Sequence, residues 1–182
     1  GLTRVGAGAF AGCSHLRSFT IPNSVTSIGY EAFGHLPITT LTLPQGVNLI
    51  ETYAFINCGS LTSVSLPSTL ERLEGLCFQG CSSLTSITIP SSVTYIDQPF
   101  LGCSSLTSIV VESGNLVYDS RNNCNAIIET ASGKLISGCS TTVIPQGVTS
   151  IEGLAFEGQA ALTSITLPNS VLRIRGRAFC GC

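Results

Sequence analysis

Apolar residues recur along the chain in a fixed order. In LTSITIP (84–90), Ile87 and Ile89 stand two apart, so their side chains leave a strand on the same face, with Thr88 between them on the other. Thr and Ile suit an extended backbone. Pro90 has no N–H to give to a ladder and closes the segment. In SSVTYI (91–96), Val93 and Ile96 return to the apolar side, and a short turn brings in Phe100 and Cys103. This pattern predicts a strand before each proline and an extended or short 3-10 segment after it. Too few residues remain for a full helix.

The same phrase is copied along the chain. Pro22, Pro44, Pro67 and Pro90 lie 22, 23 and 23 apart, and Pro145 and Pro168 are again 23 apart. FTIPNSVTSI, LTLPQGVNLI, VSLPSTLERL, ITIPSSVTYI and ITLPNSVLRI align on those prolines. A Phe follows each, at 33, 55, 78, 100, 156 and 179, and Cys13, Cys58, Cys81, Cys103 and Cys182 fall three residues after a Phe. A periodicity of this length marks stacked supersecondary units, none of which buries its apolar face alone. The Leu/Ile, Phe and Cys columns are therefore expected to form vertical stripes of core. Leu2 and Phe10 match Val25 and Phe33, and Cys182 falls in the Cys13 column, so the array is read as a piece of a longer one.

One stretch leaves the register. From Glu112, where a proline is expected, to Pro145 is 33 residues. Asn115, Asp119, Asn122, Asn123 and Asn125 mark turns there. The residues 126–129 and 134–137, on either side of Ala131-Ser132-Gly133, read as a small hairpin. The expectation is one array over 1–182, built of units of about 23 residues, with a single enlarged repeat at 112–145.

Composition narrows the function. Of 182 residues, 43% are hydrophobic and 10% charged, with mean hydropathy +0.43 and net charge -2. Eight basic against ten acidic residues leave no electrostatic footprint for nucleic acid. No apolar run approaches the roughly 18 residues of a membrane helix. The two histidines, His15 and His35, stand in no catalytic or metal-ligating spacing, the GCSS phrases are not nucleophile elbows, and no phosphate loop follows a strand. The chain is read as non-enzymatic and free of cofactors.

The candidate contacts lie on the outward strand columns and on the enlarged repeat. Thr20, Thr42, Ser65, Thr88 and Thr166, joined by Val110, form one outward column, preceded by Ser18, Thr40, Ser63, Ser86, Ser108 and Ser164. This is a field of small hydroxyls without the Trp, Tyr or Arg anchors of tight interfaces. It reads as a hydrogen-bonding surface for an extended partner or glycan, or as a solubilising strand face. Tyr118, Asp119, Arg121 and Asn123 in the enlarged repeat supply the anchor types the strands lack, unless Tyr118 merely packs over the hairpin. Glu51, Glu74 and Asp97 stack in one column, so calcium or a solvated ladder partly offset by Arg72 is open there. Arg173, Arg175 and Arg177 alternate onto one face beside the Glu152 column, where a salt bridge or a solvated edge is favoured over an anion site. Five of nine cysteines fill one core column as small hydrophobes. Cys124 and Cys139, outside it, are the disulfide candidates.

The LTSITIPxSVTxIxxxAFxGC phrases at 84–103 and 162–179, with the insert YDSRNNCNAIIET at 118–130, closely resemble the BspA-like leucine-rich repeat family, also called leucine-rich repeat 5. The resemblance covers essentially the whole chain, with local departures at Leu36, Gln98-Pro99 and Gln159. It implies a leucine-rich repeat solenoid of the α/β horseshoe class, strand-dominated, with a concave parallel sheet and convex extended or 3-10 segments. It also implies a bacterial cell-surface or secreted protein that binds host or matrix proteins, with no shared catalytic residues. The reading is an adhesin-like binding scaffold for a protein, matrix component or glycan, with a stalk that presents another domain as the alternative. Edge or end-to-end self-association is open.

Overall fold

The computed structural model describes residues 1–182 throughout. The chain winds as stacked coils dominated by short strands. Its one helical turn is a 3-10 segment at Arg121–Asn123, and no helix is long and apolar enough to cross a membrane.

Each coil is tied to the next along three lines. The first runs through the residues after the proline: β1 (Arg4–Val5), β2 (Ser27–Ile28), β4 (Leu49–Ile50), β6 (Arg72–Leu73) and β8 (Tyr95–Ile96) form one parallel sheet. Its register aligns Val5, Ile28, Ile50, Leu73 and Ile96, all buried. The second runs through the strands before the proline. β3 (Thr40–Thr42) pairs with β5 (Ser63–Ser65), and β7 (Ser86–Ile89) with β9 (Ser108–Val111), both parallel. The third has no strand. Phe33 donates its N–H to Ala54 O at 2.8 Å, Phe55 to Cys77 O at 2.8 Å, and Phe78 to Pro99 O at 3.0 Å. Two residues per coil take positive φ around this Phe, as at Leu76 (φ 59) and Gly80 (φ 71). Gly suits the second position because a Cβ there opposes the left-handed backbone.

The sequence predicted a strand only before the proline, and the structure corrects this. The unbroken ladder lies after the proline, whereas the Ser/Thr strands expected to form one concave sheet split into pairs. Arg17–Ile21 and Thr163–Leu167 make no backbone hydrogen bond at all. In the first case Phe19, in the inward column of Ile87, stacks on Phe33 at 4.4 Å.

The core follows from translation. Identical side chains repeated along an axis stack in parallel, and the Phe rings do so at 5.5 Å (Phe33–Phe55), 5.2 Å (Phe55–Phe78) and 6.0 Å (Phe78–Phe100). The Cys column sits beside them. Cys58, Cys81 and Cys103 each direct a thiol to the carbonyl of the Phe one coil earlier, Phe33, Phe55 and Phe78, at 3.2–3.3 Å. A small side chain that carries one weak donor thus adds a bond to a buried main-chain carbonyl of the neighbouring coil. A row of Thr hydroxyls does the same on the outer side: Thr62 donates to Thr39 O, Thr85 to Thr62 O and Thr107 to Thr85 O.

The enlarged repeat folds as the expected hairpin and more. β10 (Tyr118–Asp119), β11 (Ala126–Glu129) and β12 (Lys134–Gly138) form an antiparallel meander. From β12 the parallel order resumes through β13 (Ser150–Ile151) and β14 (Arg173–Ile174). β11 is buried on both faces and divides the core: Ile127 packs with the first coils, Ala126 and Ile128 with the last. Gly138 donates its N–H to Ala155 O at 2.8 Å, the bond a Phe makes in other coils, so it occupies the Phe column. A methyl group there would land on the ring of Phe156, which is fully buried. Gly138→Ala should therefore destabilise the chain by about 1–3 kcal/mol through overpacking, as read by urea unfolding, whereas Gly176→Ala, with open space around it, should not.

Candidate functional site

The two outward hydroxyl columns are distinguished by what they do not bond. Thr20, Thr42, Ser65, Thr88 and Thr166 are all exposed. None of their side chains makes a hydrogen bond within the protein, unlike the Thr62, Thr85 and Thr107 row beside them. Register sets Thr42 next to Ser65 and Thr88 next to Val110. Thr20 and Thr166 lie on the two unpaired segments, and there the face opens. Between Arg17–Ile21 and β3 is a cleft of about 360 Å³ bordered by Ser18, Thr20, Thr40 and Thr42. A second, also of about 360 Å³, lies between residues 140–144 and Ser164–Thr166. In the first cleft the Arg17–Ile21 main chain is unpaired and the hydroxyls are free, so both donors and acceptors are available to an extended guest.

The enlarged repeat presents less than expected. Tyr118 is 5% exposed. Its hydroxyl accepts the N–H of Ile96 at 3.0 Å and so closes the edge of the first parallel sheet, where no further strand arrives. Burial pushes its phenol above the ordinary value. Asp119 is half-buried and accepts from the Arg121 guanidinium (2.6 and 2.7 Å), the Arg121 N–H (3.0 Å) and the Thr130 hydroxyl (2.8 Å). Burial alone would raise its pKa; these donors outweigh it and hold the carboxyl below the usual carboxylate range. Ser120 accepts the Val111 N–H at 2.9 Å. Of the four residues named as contacts in this repeat, Asn123 alone is exposed, while Tyr118, Asp119 and Arg121 brace the insert against the array. Of the two readings left open for Tyr118, the structure has the one in which it packs, here as a cap on the first sheet.

The acidic column is largely spoken for. Glu51 accepts from Arg4 (2.7 Å) and from the Tyr30 N–H (3.0 Å), and Glu74 from Arg72 (2.7 and 2.9 Å). Arg175 meets Glu152 at 3.0 Å, one of the outcomes the spacing left open, and Arg177 meets Glu157. No three His, Cys, Asp or Glu side chains converge as metal ligands.

All nine cysteines are free, and the proposed Cys124–Cys139 pair is unbridged. Cys139 points at Asn125 O (3.3 Å) and Cys124 at Ala126 O (3.8 Å). Burial raises the Cys58 thiol to about 11 and the Cys103 thiol to about 12, and lifts Cys77 and Cys81 well above the ordinary value. These are inert packing groups, since the thiolate is the reactive form.

Sequence reasoning missed the aromatic side chains on the outer face of the first parallel sheet. Tyr30 meets the edge of Tyr53 at 5.7 Å, and Arg72 lies 4.2 Å over the Tyr95 ring. Period two counted outward from buried Ile28 and Ile96 could have found Tyr95, but each Tyr occurs once in its column and carries no repeat signal.

The BspA type leucine rich repeat region matches this chain in six copies over residues 3–128 and 134–182. Among solved structures, a leucine-rich repeat protein from Eubacterium ventriosum aligns with a TM-score of 0.85 and 25% identity, over 98% of this chain and 49% of its own. A leucine rich cell surface protein from Faecalibacterium prausnitzii gives 0.71 and 29%, over 95% and 54%. The leucine rich repeat protein of T. pallidum gives 0.60 and 25%, over 100% and 70%. The chain spans about half the length of the first two. No curated protein matches it.

Two measurements follow. Tyr118→Phe strands the buried Ile96 N–H and should cost about 1–3 kcal/mol, seen as a lower urea midpoint with loss of exchange protection at Ile96. Titration with a thiol reagent at mildly alkaline pH should label the exposed Cys13 and Cys180 fast and Cys182 more slowly, because burial raises the Cys182 pKa. The other six should react only after unfolding, and all nine then react if none is bridged.

Proposed function

Because the chain belongs to the BspA-type leucine-rich repeat family, we propose that it is a non-enzymatic binding scaffold displayed at or released from a bacterial cell surface, which recognises an extended protein segment, matrix component or glycan. The observation that carries this reading is the cleft between Arg17–Ile21 and β3. Here, as at Thr163–Leu167, one wall leaves its main chain unpaired beside free hydroxyls, in contrast to the paired strands β3, β5, β7 and β9 of the same row. An extended guest completes a ladder there through its backbone while the hydroxyls meet polar side chains or sugar rings. Surface display is supported by the solved relative described as a leucine rich cell surface protein. The match to a leucine-rich repeat family supports a scaffold.

The test is a panel of extracellular matrix proteins and a glycan array, probed with the wild-type chain and with Thr40→Val, Thr42→Val and Ser65→Ala combined. These exposed positions keep their strand preference and lose only hydroxyls. Removing three hydrogen bonds of about 0.5–1.5 kcal/mol each should weaken binding by roughly tenfold or more. A ligand held equally by the variant would exclude the hydroxyl face. No ligand on either panel would leave the stalk, which presents another domain and binds nothing itself.

A further inference from the structure

The outer faces of the two parallel ladders both mix charges, with Arg4 and Arg72 beside the acids of the first and Glu152 beside the cations of the second. On the first, residues that follow the buried Ile or Leu are Glu51, Glu74 and Asp97. On the second, the register Lys134↔Ser150↔Arg173 places two cations in one row across β12, β13 and β14, and Arg175 follows two residues after Arg173. Only eight Lys and Arg occur in the whole chain, so three of them lining one groove is a concentration of positive charge in a molecule of net charge -2.

The groove has a volume of about 430 Å³ and is bordered by Lys134, Thr149, Ser150, Leu172, Arg173 and Arg175. Its charges are incompletely matched. Lys134 stands 3.5 Å from Glu129 and Arg175 3.0 Å from Glu152. Arg173 is exposed and meets no carboxylate, in contrast to the ion pairs made by Arg4, Arg72, Arg121, Arg175 and Arg177. The hydroxyls are committed: Thr149 donates to Ser132 O at 2.8 Å and Ser150 to Glu152 at 2.8 Å. The open donors are therefore cationic, the free fork of Arg173 and the terminal nitrogens of Arg175 that Glu152 does not occupy.

We propose that this groove binds an acidic polysaccharide through its sulfate or carboxylate groups. Lys134 and Arg173 are two strand spacings apart, roughly 10 Å, so the row suits a ligand that repeats its anions along an extended chain. Arg forks match oxyanions in a bidentate manner. Leu172, 79% exposed on the rim, offers an apolar contact for a sugar ring. No aromatic side chain borders the groove, so the stacking platform that single-stranded nucleic acid uses is missing. This face is separate from the hydroxyl columns, and its test stands apart from theirs.

The experiment measures binding of the full chain to heparin, to polygalacturonate, to neutral dextran and to polyglutamate by fluorescence anisotropy. The expected result is binding of heparin, polygalacturonate or both at low salt, lost near 1 M salt where the screening length is about 3 Å. Heparin alone assigns sulfate, and both assign either oxyanion. Arg173→Ala should weaken binding roughly tenfold, the size of one lost charge-assisted contact. Arg173→Lys should retain most of it, and neither should change the melting temperature. No binding to either acidic polysaccharide, binding indifferent to Arg173→Ala, or polyglutamate or dextran bound as tightly would overturn the proposal.

Discussion

No coil of this chain can satisfy its own main chain. Each lies in a plane, and its N–H and C=O groups point along the array axis toward the coils above and below. A buried peptide group without a partner costs as much as the hydrogen bond it lacks. Folding of one coil therefore requires its neighbours, and three lines of bonds, through the post-proline strands, the pre-proline strands and the Phe turns, deliver that requirement together. Short strands suffice because each line supports the other two.

Stacking also dictates what the interior contains. A column of side chains repeated at one strand spacing must be flat, linear or small. Flat Phe rings nest parallel, branched Ile and Leu interlock, and Cys fits where a larger residue would push the coils apart while its thiol meets a Phe carbonyl. Where the repeat changes, the column adapts. Gly138 yields its place to the Phe156 ring, and Gln159, in a Cys position, reaches Cys103 O at 3.3 Å. The interior is thus occupied by the needs of the stack, and recognition is left to the outer rows and to the openings where coils separate.

The periodic part of the structure was legible in the sequence because each copy repeats the message. The Phe, Cys and Leu/Ile columns, the enlarged repeat and its hairpin follow from spacing alone. What escaped was whatever happens once. Tyr118 looked like an anchor because its type suits interfaces, and no repeat revealed that the first sheet ends beside it with the Ile96 N–H uncovered. The Thr rows illustrate the same limit. Sequence gives Thr to both the bonded row of Thr62 and Thr85 and the free row of Thr42 and Thr88, and only the register separates scaffold from candidate contact. The split of the Ser/Thr strands was equally hidden, since the copies carry the same Ser/Thr phrase whether or not their strands pair.

Mutual support between coils is tested most directly by native-state hydrogen exchange on Phe78→Ala. The amides that bridge the adjacent coils are those of Phe55, which donates to Cys77 O, and Phe78, which donates to Pro99 O. Loss of the Phe78 ring should reduce protection in the coils of Phe55 and Phe100 together, and less so at Phe156, two coils from Phe78, which donates to Ala178 O. Protection lost only between residues 72 and 81, with both neighbouring coils as slow to exchange as in the wild type, would contradict the account.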